Sequence, residues 1–123
     1  MATTQMTEQN FEGIVASNDI VLIDFWAAWC GPCRSFAPTY ERVAEKHPDI
    51  VFAKVDTEAE QGLAASFNIM SIPTLMIMRE NVVLFSQAGA LPESALDELV
   101  AKVRELDMPE VHRKVLEQQS ASS

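Results

Sequence analysis

The stretch IVLIDFWAAWCGPC, residues 20–33, constrains the fold more than any other part of the chain. Residues 20–26 are apolar almost without a break and rich in β-branched and aromatic side chains, the pattern of a strand covered on both faces. Such a strand needs a layer above it and another below. Cys30, Gly31, Pro32 and Cys33 follow at once, and Pro32 suits the first turn of a helix, where its missing N–H leaves no partner unserved. The chain therefore reads as a buried strand running into a helix from about Pro32 to His47, with Pro38 inside it removing one donor and kinking it.

The other elements follow from periodicity. Phe11, Ile14 and Val15 at i, i+3 and i+4 predict an amphipathic helix over 7–18, with Thr7 as its N-cap. IVFAKV (50–55) is a second strand, reached through a helix and hence parallel to the first. TEAEQGLAASF (57–67) predicts a helix opened by a Thr57–Glu60 capping box. TLMIM (74–78) and VVLFS (82–86), parted only by Arg79, Glu80 and Asn81, have the spacing of an antiparallel hairpin. Leu96, Leu99, Val100 and Val103 keep helical spacing behind Pro92. The sum is an α/β domain over residues 1–106: a three-layer α/β/α arrangement around a mixed sheet, with about five strands and four helices. Residues 107–123 exceed it. Pro109, Val111, Val115 and Leu116 supply only a narrow stripe there, which predicts a short helix or a partly disordered extension.

A chain of 123 residues encloses a core without staples, so its only two cysteines are free for chemistry. Nine basic against eighteen acidic residues give a net charge of −9, and no basic patch is visible to neutralise phosphates, which argues against nucleic acid as a partner. The N-terminal MATTQMTEQN lacks the basic start and apolar run of a signal peptide, and the most apolar stretch is too short and interrupted to cross a bilayer. A cytoplasmic monomer away from membranes is the expectation. In a reducing compartment a close cysteine pair is more often catalytic or metal-binding than structural. Only His47 and His112 could supplement it as metal ligands, and neither has ligand spacing, so no metal is expected within one chain.

The first cysteine of such a pair, at the head of a helix, sits among free N–H groups whose dipoles favour a thiolate. Cys30 is thus the candidate nucleophile. Cys33, one turn on, is placed to resolve a mixed disulfide, and Gly31 and Pro32 between them tune the loop. Asp24 is an ionisable group in a strand buried on both faces, where lost hydration should raise its pKa unless it is paired or lies on a wet edge. Lys54 alternates onto the side of Phe52 and reads by itself as a snorkelling lysine. Trp26 and Trp29 fit a core as well as a surface. Gly89 reads as a turn glycine or a point of close backbone approach, and the Ile72–Pro73 bond reads as trans from the ordinary preference.

Through VLIDFWAAWCGPC, FAP, VFAKVD, SIPT and GAL, in the family's order over about residues 4–106, the chain resembles the thioredoxins. The resemblance implies the thioredoxin fold and a protein-disulfide reductase acting through Cys30 and Cys33, with no cofactor beyond that redox-active pair. It implies re-reduction by an NADPH-dependent flavoprotein reductase and a role as cytoplasmic electron donor to disulfide-containing client proteins. By the same resemblance Asp24 lies beneath the cysteines and moves the proton of Cys33, with Lys54 near it. Trp29 flanks the active-site surface above Trp26, and a cis Ile72–Pro73 bond faces the cysteines, where Ile72, Pro73 and Gly89 border an extended client segment. Asn81 stands where thioredoxins commonly have glycine, and Asn tolerates the left-handed conformation. Met70 and Ser71 stand where many bacterial members carry arginine and glycine, leaving a more apolar rim. An oxidase or isomerase fits less well, since no histidine between the cysteines stabilises the thiolate. The competing class is a binding module that uses the rim around Trp29 and Met70 without redox turnover.

Overall fold

A computed structural model describes residues 2–122; Met1 and Ser123, the two ends of the expected division, lie outside the described residues. The chain forms β1 (Thr3–Gln5), α1 (Phe11–Ser17), β2 (Ile20–Trp26), α2 (Gly31–Lys46), β3 (Val51–Asp56), α3 (Gln61–Ser66), β4 (Thr74–Arg79), β5 (Val82–Ala88), α4 (Glu93–Glu105) and α5 (Met108–Ser122). The sheet order is β1-β3-β2-β4-β5. β1 and β2 both run parallel to β3, while β4 runs antiparallel to β2 and to β5.

β2 holds the middle of this sheet, and its continuous apolar run is explained by where its two faces go. Leu22 joins Phe36, Tyr40 and Val43 of α2 and Leu96 and Val100 of α4 in one core. Val21, Ile23 and Phe25 point the other way, into a second core with Val15 and Leu63. Both faces are dry because α2 and α4 cover one and α1 and α3 the other. The mixed three-layer α/β/α fold is as the sequence predicts, with a fifth helix added.

Several local details differ from expectation. β1, with the polar sequence Thr-Thr-Gln, is an unpredicted edge strand held by pairing to β3 and followed by Met6, which is fully buried. α1 starts later than predicted because Thr7 and Asn10 hydrogen-bond each other reciprocally, each side chain accepting from the other's backbone N–H, in a turn that precedes the helix. The Thr57–Glu60 capping box does not form. The Thr57 hydroxyl donates to the Trp26 carbonyl and Glu60 accepts from the backbone of Glu8, so α3 begins only at Gln61. α2 runs from Gly31 through Pro38 to Lys46 as one element. The β4–β5 connection is a two-residue turn with left-handed φ at Glu80 (51°) and Asn81 (66°), the primed geometry that matches strand twist.

Within the extension, α5 takes up Met108–Ser122. Asp107 Oδ1 accepts from the Glu110 N–H, capping α5. Met108 is buried, and His112 Nε2 pairs with Glu80 Oε1 at 2.8 Å, tying the helix to the β4–β5 turn.

Candidate active site

The site forms where β2 ends and α2 begins. Cys30 is the N-cap of α2 with extended backbone, and the Cys33 N–H donates to its Sγ at 3.2 Å. Cys30 and Cys33 are joined as a disulfide, with Cα atoms 5.2 Å apart. Both are nearly closed to solvent and pack with Ala27, Trp26 and Ile72. Burial therefore does not distinguish the two sulfurs; backbone polarity does. Cys30 Sγ receives an N–H at the positive end of a 16-residue helix, where negative charge on sulfur is stabilised once the bond is reduced. Gly31 and Pro32, exposed in the first turn of α2, complete the loop.

The opposing wall is the segment before β4. The Ile72–Pro73 peptide is cis, as the resemblance implies and against the ordinary preference. The Ile72 carbonyl oxygen lies 3.7 Å from Cys30 Sγ. Pro73 is buried, and its carbonyl accepts the Gly89 N–H at 2.8 Å. Gly89 has φ +104° but open space where a Cβ would stand. The position requires a left-handed backbone, which glycine supplies, in keeping with the reading of a turn glycine.

Trp29 and Met70 form the exposed rim, at 67% and 93% exposure. Together with Ile69, Ser71 and Ile72 they line a groove of about 410 Å³ beside the cysteines. Trp29 Nε1 donates to Glu58 Oε1 at 2.7 Å, and the Glu58 N–H in turn donates to Asp56 Oδ1 at 2.9 Å. Nothing in the sequence singles out Glu58: 29 positions separate it from Trp29, and no local pattern announces the pairing.

Asp24 sits on the β2 face covered by α2, fully buried, and no hydrogen bond reaches either carboxylate oxygen among the described residues. It occupies a central strand, not a wet edge. Burial raises its pKa from the ordinary 3.8 to about 7, against the opposing pull of Lys54. Lys54 is directly across from it in the β2–β3 register, its Nζ 5.0 Å from the ring centre of Trp26. Trp26 Nε1 is likewise buried without a partner among the described residues. Tyr40 borders the same space; its hydroxyl donates to the Ala53 carbonyl at 2.8 Å, and burial first, the Asp24 charge second, hold its pKa well above the usual phenol range. A carboxyl poised near neutrality in a dry layer is suited to taking and returning a proton.

No cluster of three or more His, Cys, Asp or Glu suited to a metal occurs among the described residues, and no helix there is long and apolar enough to cross a membrane.

Comparison with known proteins agrees with this geometry. Residues 2–102 match the family model Thioredoxin. The chain is 56% identical over 119 residues to "Putative thioredoxin 2" of Streptomyces coelicolor, covering 97% of this chain and 89% of that protein. It is 39% identical over 103 residues to the thioredoxin of Bacillus subtilis, covering 83% and 98%. Among solved structures, a mutant thioredoxin from Halobacterium salinarum superposes with a TM-score of 0.79 at 31% identity, over 85% of this chain and 92% of that one. A cysteine pair at the head of α2, in a chain matched along most of its length, places the protein among enzymes that exchange thiols with disulfide-containing substrates and are themselves re-reduced by a reductase: the chain belongs to the thioredoxin family and is a thiol–disulfide oxidoreductase.

Proposed function

We propose that this protein is a general reductant of protein disulfides in the cytoplasm, acting as a monomer through its 1–106 domain and recycled by an NADPH-dependent flavoprotein reductase. The observation that carries the direction of attack is the N–H of Cys33 donated to Cys30 Sγ at 3.2 Å on the N-cap of α2. In the reduced enzyme the Cys30 thiolate attacks one sulfur of the client disulfide, forming a new S–S bond while the client's S–S bond breaks and its other sulfur departs as a thiolate. Asp24 takes the proton of Cys33, with Lys54 setting the charge around Asp24. The Cys33 thiolate then displaces the client from Cys30, closing the internal disulfide. Two electrons pass from the enzyme pair to the client pair, and the sulfurs alone carry them, so neither metal nor organic cofactor enters the scheme.

Trp29, Ile72, Pro73 and Gly89 are assigned to the client surface. Ile72 lies against the attacking sulfur, where the backbone of an extended client segment would run beside it. Gly31 and Pro32 are assigned to holding the loop geometry. The test is steady-state reduction of a protein disulfide with dithiothreitol as electron source. Cys30→Ser should reduce turnover to the rate of dithiothreitol alone, and Cys33→Ser, reduced, freed of dithiothreitol and then mixed with the client, should accumulate a covalent adduct visible by non-reducing electrophoresis. Client remodelling that persists when both cysteines are serine would instead support the binding module.

A further inference from the structure

Four of the five described methionines are interior: Met6, Met76, Met78 and Met108 expose 0–4% of their surface. Met70 exposes 93%. It belongs to the wall whose Ile72 carbonyl lies 3.7 Å from Cys30 Sγ, and it shares the groove of about 410 Å³ with Trp29 and Ile69. Nothing need open for a solution oxidant to reach its thioether, whereas each interior methionine is protected by the packing of its core. The one accessible thioether among the described residues thus stands on the surface where the client is assigned to dock.

We propose that Met70 is an oxidative modification site through which peroxide lowers the enzyme's affinity for protein clients without touching the dithiol chemistry. Hydrogen peroxide transfers one oxygen atom to the Met70 sulfur. An S–O bond forms, the O–O bond breaks, sulfur gives up two electrons, and the second oxygen leaves as water. The product is a polar sulfoxide in place of a flexible apolar side chain. Apolar client groups seated between Trp29 and Ile69 then meet a dipole that they cannot hydrogen-bond. The proposal rests on the client surface assigned above, and small disulfides that need only the sulfurs should be indifferent to it.

The experiment uses the full chain in its disulfide form, which protects both cysteines, treated with graded hydrogen peroxide and followed by peptide mass mapping. The peptide containing Met70 should gain about 16 Da, one oxygen, before those containing Met6, Met76, Met78 or Met108. After re-reduction with dithiothreitol, KM for a protein disulfide should rise about fivefold, as when one apolar contact becomes polar, with kcat little changed. Turnover of a small aromatic disulfide should keep its original kcat/KM. Met70→Gln should reproduce the raised KM without peroxide, and KM of Met70→Leu should be the same before and after treatment. Oxidation of an interior methionine at the rate of Met70, or a KM that stays the same in both the sulfoxide form and Met70→Gln, would overturn the proposal. Loss of small-disulfide turnover would instead locate the damage in the cysteines and overturn it as well.

Discussion

Two groups of carboxylates in this molecule obey the same electrostatics with opposite results. Asp24, in the dry layer between β2 and α2, has no hydrogen-bond partner among the described residues, and burial lifts its pKa to about 7. At the far end of α2, Asp49 meets Arg104 through two contacts of 2.8 and 2.9 Å, and Glu93 and Asp97 accept from Lys46 at 2.7 and 2.9 Å. Here hydrogen bonds from Arg104, first among the causes, hold Asp49 down at about 2, and those from Lys46 and Arg42 lower Glu93. Desolvation acts on both groups. It dominates where no donor answers the carboxylate and loses where a guanidinium or ammonium does. The difference separates a charge that opposes folding from charges that are nearly neutral to it: the seam of exposed pairs adds little to stability, while the site stores its cost in one residue.

The largest effect should therefore come from Asp24. Its folded pKa lies above the unfolded one, so the folded state binds the extra proton between about pH 4 and 7 and loses stability as pH rises through that window. From 3.8 to about 7 the shift corresponds to a cost of order 4 kcal/mol above pH 7. Asp24→Asn should be more stable than wild type at pH 8, by roughly 2–4 kcal/mol, with the advantage shrinking towards zero at pH 4. Urea denaturation at pH 4, 6 and 8 measures this. A variant no more stable at pH 8 than at pH 4, relative to wild type, would erase the contrast between the two regions.

A smaller change should sharpen the contrast from the other side. Lys54 is the one cause that pulls the Asp24 pKa down, across the β2–β3 register. Lys54→Met should raise that pKa further, by up to about one unit, and move the matching limb of the client-reduction pH profile upward. The infrared band of the protonated carboxyl, followed from pH 5 to 9, reads the same shift without depending on turnover. An unmoved band would mean that the Lys54 charge is screened from Asp24 despite their pairing across the strands.

The same contrast explains what was legible in the sequence. Asp24 stood out because a carboxylate inside IVLIDFW breaks an otherwise apolar run, and a run with a fixed period projects directly onto burial. The helix after Cys30 and the parallel β2–β3 pair were legible for the same reason: local signals agreed with the tertiary outcome. β1 was not, because Thr-Thr-Gln carries no alternation; backbone pairing to β3 and the buried Met6 beside it make it a strand. Thr57 and Glu60 had capping spacing, but tertiary partners at Trp26 and Glu8 claimed their side chains. α5 has a weak stripe, and its order comes from a cap at Asp107, the buried Met108 and the His112–Glu80 contact. Nor do the partners of Asp49 or Trp29 follow any period, since Arg104 and Glu58 arrive from distant elements.

The smallest effect is predicted for Asp49, and it tests whether surface pairing is as weak as the comparison requires. Its folded pKa is depressed, so its contribution is present above the unfolded value of 3.8 and is lost as pH falls towards about 2. Asp49→Asn should shift Tm at pH 7 by no more than about 2 °C at low salt, and the difference should fade in 1 M NaCl, where the screening length is about 3 Å. Wild type and variant should converge only below about pH 2, where the folded wild type also loses the charge. The stability of wild type should accordingly rise as pH drops from 8 to 5, where Asp24 takes up its proton, and fall again below 4, where paired surface carboxylates lose theirs. A salt-resistant loss at pH 7 in Asp49→Asn, comparable with the gain in Asp24→Asn, would mean that the Arg104 pair is shielded from solvent. Stability would then be held as much by the α2–α4 seam as by the cores on either side of β2.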